Sequence, residues 1–130
     1  MTQINFESFE LNIQLVEYEE RTGSIKILFN YYIQPFTSKT IEINEYYWVS
    51  VEQWQIFVKE INSYNEKNSI ELKTLSDDLI LQLKKDKEIT FTLFFNKNRD
   101  KFTINSNITI RIDKSELVNL QSSFQKVLGY

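Results

Sequence analysis

The feature that most restricts this chain is a change of hydrophobic period that occurs twice. Phe9, Leu11, Ile13 and Leu15 share one parity, while Glu10, Asn12 and Gln14 take the other. Period two marks a half-buried strand. The turn-forming "ERTGS" follows, with Gly23 free to take positive φ. Alternation resumes through Ile25, Ile27, Phe29, Tyr31 and Ile33 and ends at Pro35. A third strand runs from about Lys39 to Val49, with Ile41, Ile43, Tyr47 and Val49 on one parity. At Ser50 the period becomes helical. Trp54, Phe57, Val58, Ile61 and Tyr64 define one apolar face, and the helix should stop near Asn65. Ser50 and Gln53 have capping-box spacing, so the serine can accept from the amide three residues on.

The second half repeats the programme. Short strands are readable at Ile70–Leu75, Leu79–Lys84, Ile89–Phe95 and Phe102–Ile112. In the last, Ile104, Ile108, Ile110 and Ile112 share a parity. Asp113 and Glu116 repeat the capping-box spacing. Leu117, Leu120, Phe124 and Val127 then carry the face of a final helix, with Gly129 placed as its cap. A slide of 63 residues puts Ser50 on Asp113, Trp54 on Leu117, Phe57 on Leu120 and Ile61 on Phe124. The chain reads as one domain over residues 1–130, with half-units 1–66 and 67–130. Each is a strand–strand–strand–helix unit, with an extra short strand at the junction. The expected fold is α+β in two layers: an antiparallel sheet with both helices on one face and a (βββα)2 pseudo-repeat.

Composition narrows function mainly by exclusion. The sequence contains no His and no Cys, which removes the commonest zinc ligand sets, Cys–His nucleophiles and Ser–His triads. Two glycines cannot build a phosphate-binding loop or a dinucleotide fingerprint. "SDDL" at Ser76–Leu79 is the only adjacent Asp pair, and a solvated turn explains it better than carboxylate catalysis. The expectation is a non-enzyme with no cofactor and no metal. No apolar run approaches the roughly 18–20 residues of a membrane span. The first ten residues lack the pattern of a secretory signal, so a cytoplasmic, monomeric protein is expected.

Two places invite a partner. In "EINEYYWVSVEQW", Tyr47, Val49 and Trp54 point inward, whereas Tyr46 and Trp48 belong to the opposite sheet face. They are either an exposed aromatic anchor or a pair stacked on cross-strand neighbours such as Tyr32. Charge is divided unevenly as well. Residues 1–66 hold ten acids and four bases, and residues 67–130 hold eight acids and eleven bases. The acids gather at Glu17, Glu19 and Glu20 near the first hairpin, with Glu42 and Glu45 on the third strand. Basic tracts around Lys84 and Lys97 are short and interrupted by Asp, which argues against nucleic acid as the partner. An acidic end suits a basic protein partner.

The segment "FTINSNITIRIDKSELVNLQSSFQKVLGY", a strand running into an Asp-capped helix, resembles the end of the WapI-like bacterial immunity proteins. "WVSVEQWQIFVKEIN" is similar to that family's strand-to-helix step, and "IELKTLSDDLILQLKKDKEITFTLFF" to its following meander. The order matches over roughly residues 8–130. The family pattern has a longer, Asp/Trp-containing first connection where this chain has only "EERTGS". The resemblance implies a small cytoplasmic protein that binds and occludes a cognate toxin domain encoded next to it, without active-site residues of its own. The interface residues expected on charge and parity are Glu17, Glu19, Glu20, Glu42, Glu45, Tyr46 and Trp48. The alternative is a small-molecule or lipid-binding module with an aromatic cavity between helices and sheet.

Overall fold

The computed structural model describes residues 2–6, 9–36, 39–62, 69–85 and 87–129. Its elements run β1 (Thr2–Phe6), β2 (Phe9–Glu19), β3 (Ser24–Phe36), β4 (Lys39–Ser50) and α1 (Val51–Asn62), then β5 (Ser69–Lys73), β6 (Leu79–Lys85), β7 (Ile89–Arg99), β8 (Phe102–Ile112) and α2 (Lys114–Val127). The protein is α+β, with antiparallel strands and helices packed against them. Both changes of period fall where the sequence puts them. Ser50 Oγ accepts from the Gln53 amide at 3.3 Å. Asp113 and Glu116 form a complete capping box, with bonds of 2.7 and 3.0 Å. Gly129 lies past the end of α2 at φ +81°, its amide donating to Lys126 O.

The expected single sheet is two. Strands β1-β2-β3-β4 form one four-stranded sheet and β5-β6-β7-β8 another. After β4 the chain leaves the sheet edge as α1, and the next strand pairs with its own successor. Parity records which side of a strand is buried, but not which ladder the strand joins. The inner faces oppose one another. Phe9 meets Phe91 at 6.5 Å between ring centroids, and Tyr31 meets Phe95 at 5.9 Å. The helices are exchanged: α1 packs on β5, and α2 packs on β1. Both helices on one sheet face is therefore replaced by each helix covering the opposite unit. They meet through Phe124, which packs on Trp54 and Phe57 at 5.2 Å each.

Each half holds four strands and a helix, so the element order is ββββα twice, where the sequence suggests βββα twice with an extra strand at the junction. The strand absent from the sequence reading is β1, although Ile4 and Phe6 alternate with Gln3 and Asn5. Pro35 does not end β3, which continues to Phe36. The register of β3 against β4 shifts between Ile33 and Phe36, and such an irregularity tolerates a residue with no N–H to donate. The same shift refines the repeat. The hairpin-end pairs Phe36–Lys39 and Arg99–Phe102 stand 63 residues apart, whereas inward Phe29 and Tyr31 match Leu93 and Phe95 at 64. The extra residue of β3 accounts for the difference. Residues 63–65, the expected end of α1, lie outside the described residues.

Candidate partner-binding surface

The β2–β3 hairpin is held by its own backbone. Glu19 pairs with Ser24, and Gly23 at φ +62° donates to Glu20 O. Gly23 O then accepts from the Val51 amide at 2.8 Å, fixing the hairpin to the first residue of α1. Arg21 N donates to Glu19 Oε1 at 3.3 Å. Among the described residues β1 pairs with β2 from Phe9 to Ile13, with Thr2 opposite Ile13. Among the described residues the rest of β2 pairs with β3 alone, with an irregularity between Leu15 and Glu17. Leu15, Val16 and Tyr18 stand 41%, 45% and 57% exposed there. Leu15 has the inward parity of a core residue and yet stands exposed. Parity does not show that these three residues lack cover.

On the outer face of this sheet, Glu17, Lys26 and Trp48 follow one another across β2, β3 and β4. The next row is Gln14, Leu28 and Tyr46. Tyr46 is 56% exposed, and Lys26 Nζ sits 4.9 Å from the centre of its ring. Tyr32 is opposite Glu42, two rows away, so Lys26 takes the place expected for an aromatic neighbour. Tyr47, Val49 and Trp54 are buried as expected. The structure thus gathers Glu17, Glu19, Glu20, Tyr46 and Trp48 at one end of one sheet. Glu42 lies on the same outer face but toward the far end. Glu45 is apart from all of them: it has inward parity and forms an ion pair with Lys97 of β7.

The charge asymmetry becomes a difference between outer faces, because the sheets oppose one another through their inner ones. Glu10, Glu17 and Glu42 face outward on the first sheet, with Lys26 among them. On the second sheet Lys73, Lys84 and Arg111 face outward with Glu71. Arg111 Nε contacts Glu88 at 3.3 Å. The Asp pair of "SDDL" sits in the β5–β6 turn, where Asp77 takes φ +55° and Asp78 accepts from Thr74 Oγ1 at 2.5 Å. Among the described residues no group of three or more acids is placed to hold a metal ion, and no helix is long and apolar enough to cross a membrane.

No family model and no curated protein matches the chain. Solved structures do. The chain is similar to the plant transcriptional regulator PBF-2 at 17% identity and TM-score 0.56, over 98% of this chain and 79% of that one. It is also similar to Trypanosoma bruciei MRP1/MRP2 at 12% identity and TM-score 0.51, over 95% of this chain and 76% of that one. At these identities the likeness describes the fold.

Proposed function

We propose that the protein is a cytoplasmic, non-enzymatic immunity protein that binds a cognate toxin domain and occludes it. The observation that carries this reading is the β2–β3 hairpin end. There exposed Leu15, Val16 and Tyr18 stand among Glu17, Glu19 and Glu20, beside Lys26, Tyr46 and Trp48. Apolar and aromatic side chains supply desolvated contact area, and the surrounding carboxylates select a basic partner and speed its approach. The hairpin is also fixed to α1, so little ordering is needed on binding. The resemblance to the WapI-like proteins supports the same reading. The test is co-expression with the gene product encoded immediately upstream. The expected result is growth with this protein and arrest without it; arrest in both cases contradicts the proposal.

A second reading is favoured by the outer face of the β5–β8 sheet. Phe94, Ile80, Asn96, Asn105 and Asn107 line a shallow groove of about 560 Å³ there, with Asp77 as its one acid. Lys84 and Arg111 flank Thr90 two rows away on the same face. A ring amid amides, with cations nearby, suits single-stranded nucleic acid, where bases stack and their edges are hydrogen-bonded. That partner is also in keeping with a structural neighbour described as a transcriptional regulator. Fluorescence anisotropy with labelled single-stranded oligonucleotides separates the readings. Binding lost in Phe94→Ala favours nucleic acid, and no binding leaves the toxin as partner.

A further inference from the structure

Strand β8 is a sheet edge, with β7 as its one ladder neighbour among the described residues. Its residues 102–107 are exposed on both faces, with Phe102 at 56% and Ile104 at 49%. A bare edge is a template for a further strand, and proteins blunt it with charge, proline, a bulge or brevity. The other edges show such devices. β4 carries Lys39, Glu42 and Glu45, and the five-residue β5 carries Glu71 and Lys73. β1 is also five residues long and has α2 against it. From Phe102 to Ile110, β8 has no charge, glycine or proline, and its pairing with β7 runs without a shift of register.

That stretch, "FTINSNITI", is a near palindrome about Ser106. Laid antiparallel on a second copy, with a two-fold axis through Ser106, it meets its own kind. Thr103 faces Thr109, Ile104 faces Ile108, Asn105 faces Asn107, and Phe102 faces Ile110. Facing residues share a parity, so apolar side chains stay on one face and amides on the other. Aromatic and β-branched residues are favourable cross-strand partners. Amides and hydroxyls both donate and accept, so Asn105 can bond Asn107, and Ser106 can bond its own symmetry mate. The hydroxyls of Thr103 and Thr109 already bond Asn98 and Thr92 of β7, so these two contribute packing. A register centred on Asn107 is poorer, because it sets Ser106 against Ile108 and Thr103 against Arg111. In the Ser106 register the ladder stops where Lys101 would face Arg111.

We infer that the protein forms a two-fold dimer through β8, joining two four-stranded β5–β8 sheets into one continuous sheet. Two-fold pairs of like surfaces are the commonest form of homo-oligomer. The dimer replaces the monomer expected from the sequence, and it is independent of the toxin reading, which concerns the other sheet. The test is sedimentation velocity over a dilution series of the full-length protein and of Ser106→Lys. The native chain should reach twice the mass of one chain as concentration rises. Ser106→Lys should weaken the dimer by roughly tenfold or more, since like charges directly opposite are destabilising. Position 106 is exposed, so an unchanged circular dichroism spectrum verifies the fold of the variant. Disulfide capture fixes the register, because the chain has no cysteine of its own. Facing Cα atoms stand about 4.5–5.5 Å apart, within disulfide reach. Ser106→Cys should therefore cross-link to a second copy on mild oxidation. Thr103→Cys should not, because its two copies stand about 20 Å apart along the strands. A monomer at every concentration, or a dimer that Ser106→Lys leaves intact, overturns the inference. So does a Ser106→Cys protein that fails to cross-link, or a Thr103→Cys protein that cross-links as readily.

Discussion

Trp54 is fully buried and its indole N–H donates to Phe124 O at 2.9 Å, so one side chain both fills space and satisfies a helix carbonyl. Trp54→Ala should cost about 3–5 kcal/mol in chemical denaturation, the range for large aromatic truncations. Trp48→Ala should cost far less, since that ring lies on the outer face. Of the two single-tryptophan variants, the one retaining Trp48 should be quenched more readily by iodide. Tyr31 offers the opposite case. Its buried hydroxyl has no partner among the described residues, so Tyr31→Phe should leave stability unchanged or raise it by up to about 1 kcal/mol. Burial raises the folded pKa values of Tyr31 and Tyr47 above the unfolded value of about 10. Their contribution is complete below about pH 10 and is lost as pH rises beyond it. Alkaline denaturation should therefore begin there, and it should be less steep in Tyr31→Phe.

Among the elements, the helix starts were legible because capping is local. Ser50 and Asp113 each reach an amide three residues away, and the side-chain types announce it. Ser50→Ala and Asp113→Ala should each lower stability by about 0.5–2 kcal/mol, read from the denaturation midpoint. Inward and outward faces were legible for the same reason, as Phe29, Tyr47 and Phe91 testify. Partition into two sheets was not, since nothing in the alternation of Ile70 and Leu72 says that β5 begins a new ladder. The helix exchange was equally hidden, because α2 looks alike in sequence whether it covers β8 or β1. It has a measurable consequence. Residues 1–66 and 67–130 produced separately should each stay largely unfolded, and mixing them should restore strand signal in circular dichroism. Two halves that fold apart contradict the exchanged packing.

At the scale of the molecule, the two outer faces differ in charge, and the site residues split accordingly. Composition made the acidic bias visible and parity already turned Glu45 inward, but only the structure shows that Glu17 and Trp48 share a row and that Glu45 meets Lys97. Leu15, Val16 and Tyr18 were not legible because parity reports which way a side chain points and not what lies over it. The proposed interface therefore centres on the hairpin end. Charges in such a place act chiefly on the rate of encounter, and salt screens them over about 8 Å at physiological ionic strength. The most direct measurement is stopped-flow association with the upstream-encoded toxin domain at low and high salt. It compares the native chain with Glu17→Lys, Glu19→Lys and Glu20→Lys combined. The proposed interface requires slower association and a flatter salt dependence in the variant, with its circular dichroism unchanged. Association that is equally fast and equally salt-dependent in both proteins contradicts it.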